Sequence, residues 1–267
     1  MAVMGIVRAM MIGDVVGELG LRVLEERLPG LIRDNAVDIT VANGENAADG
    51  FGLTDATLGR ILAAGADLVT SGNHVWEKRD FWQTLDDEGR VLRPANYPGP
   101  AAGRGLARLE KAGASWIVVN VQGREFMTAI DCPFRCLDGL LDGPWGGGGI
   151  VLVDFHAESS REKESLAYHL DGRVALLAGT HTHVQTADER VLPGGTAYIT
   201  DLGMTGITDS VIGMDARICL DRVRKQVMYR MEPARDPGDG ESRARIQGVL
   251  AEIDAESGRA VSIRRLP

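Results

Sequence analysis

Cysteine is scarce in this chain: Cys132, Cys136 and Cys219 are the only three in 267 residues. A number that small and odd excludes a disulfide framework and points to a reducing compartment. No second cysteine or histidine pair stands near Cys132 and Cys136, so a zinc-ribbon or redox role is disfavoured and buried or idle thiols are the simpler reading. Long apolar runs are missing too. Residues 1–13 are apolar, but Arg8 interrupts them, no small-residue cleavage site follows, and Asp14 closes the stretch well short of membrane-spanning length. A soluble cytoplasmic protein is expected. Basic charge is in deficit: 29 Lys and Arg against 38 Asp and Glu give a net charge of -9, which argues against broad duplex binding through the phosphate backbone. An acidic protein can still take a phosphate ester if bound cations change the local sign. There is no Gly-x-Ser-x-Gly elbow, no cysteine beside a motif histidine, and no internal repeat at solenoid spacing. Gly146-Gly147-Gly148-Gly149 lacks a following Lys-Ser or Lys-Thr and is not a Walker phosphate loop.

What is present is 44% hydrophobic residues, enough for a full core, and a single domain over 1–267 is expected. Short β-branched runs alternate with amphipathic segments, the pattern of a layered α/β fold. Strands are predicted over 7–12, 37–42, 67–70, 115–121, 150–155, 174–178 and 197–200. Helices are predicted over 19–35, where Leu21, Leu24, Leu28, Leu31 and Ile32 form one stripe, and over 55–64. Periodicity fails over 123–149, which reads as a cap bordering a site or as a linker. Residues 236–242 read as a loop. Ile246, Val249, Ala251 and Ile253, the turn signal Ala255-Glu256-Ser257-Gly258, then Val261, Ile263 and Leu266 predict a terminal hairpin packing on a second sheet.

Four of the five histidines fall in three polar runs, Gly72-Asn73-His74, Asp154-Phe155-His156 and Gly179-Thr180-His181-Thr182-His183, each ending an apolar stretch. Asp14, Glu45, Asn46 and Asn73 also follow predicted strands. In open α/β sheets such carboxyl ends converge, so one pocket can hold them all. His181 and His183 lie two positions apart on an extended segment and project the same way. Each residue alone has a bland explanation. Asp14 could cap the helix beginning near Glu18, and Asn43-Gly44 could be a plain turn. His156 could be a satisfied core imidazole. Together they form a mixed nitrogen and oxygen donor set suited to a hard or borderline divalent metal, a metal-centred hydrolase signature. His169, on a predicted helix over 162–170, reads as a surface residue. Trp76, Tyr97 and Phe155 are read as core by default.

The ordered set Gly-Asp, Gly-Asn-His, a later His and Gly-x-His-x-His resembles the calcineurin-like metallophosphoesterases. The closer similarity is to the YmdB-like family of bacterial phosphodiesterases, which includes 2′,3′-cyclic-nucleotide 2′-phosphodiesterases. It is carried by Ile12-Gly13-Asp14-Val15-Val16-Gly17, Asn43-Gly44-Glu45-Asn46-Ala47-Ala48, Ser71-Gly72-Asn73-His74-Val75-Trp76, Arg93-Pro94-Ala95-Asn96-Tyr97-Pro98, Asp154-Phe155-His156-Ala157-Glu158 and Gly179-Thr180-His181-Thr182-His183-Val184. Tyr198-Ile199-Thr200-Asp201-Leu202-Gly203-Met204 and Ser210-Val211-Ile212-Gly213 extend it over nearly the whole chain. Val16 stands where the wider superfamily has a histidine and Glu45 where it has an aspartate. Both departures look like the YmdB-like pattern, and they leave one metal position poorer in imidazole.

The resemblance implies an α/β/β/α sandwich of two mixed sheets flanked by helices. It also implies two divalent ions, iron or manganese ahead of magnesium or zinc. Asp14, Asn46 and His183 would hold one ion, Asn73, His156 and His181 the other, and Glu45 would bridge. His74 would be the general acid or a transition-state hydrogen-bond donor. Two ions about 3.5 to 4 Å apart can share a hydroxide that attacks phosphorus in line. An adjacent imidazole then contributes roughly 10² to 10⁴-fold by protonating the leaving group. The substrate implied is a small phosphate ester, a 2′,3′-cyclic or 3′,5′-cyclic nucleotide. Neither duplex nucleic acid nor membrane is expected as a partner, and association with a second copy stays open. The alternative is a signalling or scaffold protein stabilised by metal, with residual hydrolysis only. A spare proton donor such as His74 favours the enzyme, since structural metal sites are usually closed.

Overall fold

The computed structural model describes residues 5–143, 145, 148–235 and 243–267. Residues 1–4 of the N-terminal apolar stretch, Pro144, Gly146 and Gly147, and the 236–242 segment lie outside the described residues.

Alternation of apolar side chains with period two builds the strands. In β1 (Ile6–Ile12), Ala9 and Met11 face one way, and Met10 and Ile12 the other. The short β2 (Asp14–Val15) follows it. β3 (Ile39–Asn43) pairs parallel to β1 and β4 (Leu68–Thr70) parallel to β3, while β13 (Gly248–Asp254) pairs antiparallel on the other side of β1, and β4 and β14 (Ala260–Arg265) form the two edges. The second sheet contains β5 (Leu106–Lys111), β6 (Ala114–Gln122), β7 (Ile150–His156), β8 (Leu176–Thr180), β9 (Arg190–Val191) and β10 (Ala197–Ile199). Its order is β5-β6-β7-β8-β10-β9, with β6, β7, β8 and β10 parallel and the two edges antiparallel. β11 (Met204–Ile207) and β12 (Ala244–Arg245) join β2 in a small third sheet.

Two mixed sheets therefore stack face to face. Ala9, Met11, Val41 and Val249 of one pack on Trp116, Val118, Leu152 and Leu176 of the other. The terminal hairpin thus completes the first sheet and packs on the second, as its alternation predicts. On the outer face of the first sheet lie α1 (Gly17–Asp34), whose Leu21, Leu24 and Leu28 are buried, and α2 (Asp55–Ala63). Each such burial contributes about 1.5–3 kcal/mol. α3 (Trp82–Asp87) is a short turn of helix feeding the connection to β5. α4 (Pro133–Leu141) and α5 (Ser160–His169) cover the outer face of the second sheet through Leu137, Leu166 and Ala167. α6 (Ala216–Lys225) packs near Val16 through Cys219. The architecture is the α/β/β/α sandwich.

α4 corrects the reading of 123–149 as a stretch without periodicity. Pro133 at its first turn and Leu137 against the sheet form a nine-residue helix, too short for its one buried stripe to stand out among neighbouring glycines. No described helix is long and apolar enough to cross a membrane.

Candidate metal centre

Every strand that carries a motif residue ends at the same edge of the sandwich. Asp14 follows β1, Glu45 and Asn46 follow β3, Asn73 and His74 follow β4, His156 closes β7, and His181 and His183 follow β8. Asp14 does not cap α1, whose N-cap is Val16 with no side-chain bond. Gly72 is required by close approach: a Cβ there would overlap the His156 imidazole. His181 and His183 adopt left-handed φ values of 101° and 63°, conformations that persist only where the surroundings impose them.

Three groups meet around His156 Nε2. Glu45 Oε1 lies at 3.1 Å, Asn73 Oδ1 at 3.0 Å and His181 Nδ1 at 3.1 Å. The donor atoms of Glu45, His156 and His181 all fall within 4.8 Å of one another. A second group adjoins it. His183 Nε2 lies 3.4 Å from Asp14 Oδ2 and 3.0 Å from the Asn46 amide nitrogen, which is 3.3 Å from Glu45 Oε1. These acceptors favour the amide nitrogen facing them, whereas a cation bound there would favour the half-turned amide with its oxygen inward. Glu45 touches both groups. Its other oxygen, Oε2, accepts the His74 backbone N–H at 3.1 Å, and His74 Nδ1 lies 3.2 Å from Glu77 Oε1, its ring edge-on to Phe51.

Each imidazole is oriented by its remaining nitrogen. His183 Nδ1 donates to the Ile212 carbonyl at 2.8 Å, and His181 Nε2 lies 3.2 Å from Glu158 Oε2. His156 Nδ1 lies 3.0 Å from Thr180 Oγ1, which donates to Asp154 Oδ1 at 2.6 Å. Asp154 also accepts from Thr70 and from Asn43 Nδ2, so one buried carboxylate ties both sheets together beneath the site. Lys163 and Asp201 form a second buried pair at 2.7 Å, and Asp201 accepts the Thr182 N–H in the His181-His183 loop.

Protonation follows from burial and neighbours. Burial lifts the Asp14 carboxyl well above the usual range; the His156 cation opposes this, while Glu45, Asp201 and Asp154 add to it. Burial works against a charged Glu45, but the His156 cation and its hydrogen bond win and hold that carboxyl down at about 2. Burial likewise opposes the His156 cation, yet Glu45, Asp14 and Asp154 raise it to about 9. Burial and the nearby His156 cation push His181 down to about 3, and burial lowers His183.

The donor set fits divalent cations. Asp14 Oδ1 is buried with no hydrogen-bond partner, and the atoms facing His156 Nε2 are acceptors or tautomer-dependent nitrogens held with almost no donor among them. Anionic and imidazole ligands with ring N–H groups tied back to carboxylate, carbonyl or hydroxyl are the usual surroundings of a bound metal. Elsewhere, Cys132 and Cys136 are free thiols at the start of α4, lining a shallow cleft of about 320 Å³ with Asn96 and Arg135. Phe155 is core, and His169 is exposed, paired with Asp138 at the surface where its helix predicts it. Sequence reading passed over Glu77, Glu158, Asp154, Thr180 and Gln122. All but Gln122 lie inside or next to quoted motifs, where only their nearness to a histidine marks them.

A family model described as "YmdB-like protein" matches residues 10–266. The chain belongs to the YmdB-like family. The 2′,3′-cyclic-nucleotide 2′-phosphodiesterase of Bacillus subtilis (strain 168) is 40% identical over 259 residues, covering 97% of this chain and 96% of that protein. The crystal structure of a hypothetical protein from Thermus thermophilus is similar at TM-score 0.89 and 42% identity, covering 97% of this chain and 98% of that one. That of a novel phosphatase from Mycoplasma pneumoniae is similar at TM-score 0.90 and 28% identity, covering 98% and 93%. Membership of the YmdB-like family makes the chain a hydrolase of phosphoester bonds, the enzyme class its motifs predict.

Proposed function

We propose that the protein is a metal-dependent phosphodiesterase acting on small phosphate esters, with 2′,3′-cyclic nucleotides the leading substrates and 3′,5′-cyclic nucleotides next. The observation that carries this reading is the convergence of Glu45, Asn73 and His181 on His156 Nε2, with His74 held at the rim by Glu45 and Glu77. The activity for which the Bacillus subtilis relative is named supports the substrate class.

Two divalent ions fit the two adjoining donor groups. Asp14, Asn46 and His183 would hold one, Asn73, His156 and His181 the other, with Glu45 shared; iron or manganese suits this mixture of imidazole, amide and carboxylate. Such ions, when bound, neutralise phosphoryl charge and lower the pKa of water at the site. The protein's own residues do the rest. Glu77 engages His74 Nδ1, which leaves Nε2 as the nitrogen able to pass a proton to a leaving oxygen. Ile212, Glu158 and the Thr180–Asp154 relay keep the other rings turned inward.

Elemental analysis of the isolated protein, paired with a screen of 2′,3′- and 3′,5′-cyclic nucleotides, phosphomonoesters and a chromogenic diester, tests the reading. About two equivalents of metal and turnover of 2′,3′-cyclic nucleotides are expected. Protein with a full metal complement and no turnover of any ester would defeat it.

A further inference from the structure

One buried donor beside the cluster has no partner. Gln122 ends β6 directly opposite His156 in the parallel β6–β7 ladder, so their side chains share the face of the sheet that looks toward the metal centre. The Gln122 side chain is fully buried, and its Nε2 makes no hydrogen bond. The rest of the residue is held firmly. Asn96 Oδ1 accepts the Gln122 backbone N–H at 2.9 Å, and Asn96 Nδ2 donates to the Gln122 carbonyl at 2.8 Å, so one amide side chain brackets both backbone groups. Tyr97 Oη donates to Gln122 Oε1 at 3.1 Å, and Trp76 packs edge-on against Tyr97 with ring centroids 4.5 Å apart. Burial raises the Tyr97 hydroxyl, and the Glu45 charge adds to the effect despite the bond to Gln122, which places that phenol within the field of the cluster.

An amide whose oxygen is occupied and whose N–H₂ is dry and unpaired carries an unmet desolvation penalty unless an acceptor fills it. The pairing also assigns the amide: with Tyr97 donating to Oε1, the free end is a donor. A neutral donor aligned beside His156 suits an anionic oxygen. We infer that Gln122, braced by Asn96 and Tyr97, is a substrate-binding residue whose Nε2 donates to a non-bridging phosphoryl oxygen of the ester. This rests on the reading of the protein as a phosphoesterase, which it deepens by naming the group that orients the phosphoryl.

Gln122→Met, nearly isosteric and without the donor, is compared with the wild type and with Tyr97→Phe, each loaded with the same metal. Three quantities are measured: bound metal, KM and kcat on a phosphodiester, and the affinity for inorganic phosphate by calorimetry. For Gln122→Met, unchanged metal content, phosphate binding weaker by about tenfold to a hundredfold, and a KM raised by a similar factor are expected, the range for a hydrogen bond to a charged group. Tyr97→Phe, which frees the amide to turn, shifts the same quantities less. Wild-type phosphate affinity in Gln122→Met overturns the inference, as does loss of metal from that variant or a fall in kcat alone. Calorimetry needs no turnover, so a wild type that hydrolyses no ester would defeat the functional reading alone, and equal phosphate affinities would defeat this one alone.

Discussion

The Thr180 hydroxyl donates to Asp154 at 2.6 Å while lying 3.0 Å from His156 Nδ1, so a carboxylate buried between the sheets sets the tautomer of a candidate metal ligand. That relay predicts Thr180→Val to be more than a packing change. With the ring no longer fixed, metal affinity should fall by about 10 to 100-fold, the usual effect of removing an orienting partner. Chelator competition measures it; an unchanged affinity would show that the ring is oriented by packing alone.

Glu45 and His74 should separate by phenotype. Glu45 contacts both donor groups, so Glu45→Ala should lose metal from both positions, read by elemental analysis. Two ions at full occupancy in that variant would refute the shared role. His74→Ala should keep its metal and lose roughly 10² to 10⁴-fold in turnover. Loss of metal there would reassign His74 as a ligand or a support.

Metal uptake should depend on pH through His156. Burial disfavours its cation, but Glu45, Asp14 and Asp154 outweigh burial and hold it protonated up to about 9 in the metal-free protein. A metal needs the neutral ring, so binding below that pH releases a proton. Affinity should therefore rise by at least about tenfold per pH unit toward pH 9, more steeply where the raised Asp14 carboxyl must also give up its proton, and level off once both are deprotonated. Calorimetry in buffers of different ionisation enthalpy counts the proton released, and a pH-independent affinity would contradict the assignment.

The Lys163–Asp201 pair supports the loop that carries His181 and His183. Lys163→Met leaves a buried carboxylate without its cation, which should cost about 3–5 kcal/mol of stability. The double variant Lys163→Met with Asp201→Asn should recover part of it. Denaturant unfolding of the three proteins decides the matter, and a single variant as stable as the wild type would remove the pair from the argument.

Much of this is legible in the sequence. Short apolar, β-branched runs place β1, β3, β7 and β8, because strands buried on both faces read as continuous apolar stretches, and the leucine stripe of α1 marks its buried face at the helical period. Short or half-exposed elements escaped. α4, α6 and β5 span only nine, ten and six residues, and windows that short leave too few repeats for a period to be told from a loop.

The sequence by itself determined which residues are chemically able to take part: the histidine runs, the carboxylates and amides after strands, and the family they mark. Only the tertiary structure decided what those residues do to one another. Glu45 and His156 are 111 positions apart and meet at 3.1 Å because parallel strands deliver their carboxyl ends to one edge. The tie between Asp154 and Thr70, and the unpaired amide of Gln122 beside His156, are contacts across sheets and along ladders. No local pattern encodes them, since register and sheet stacking are set by the packing of the whole core.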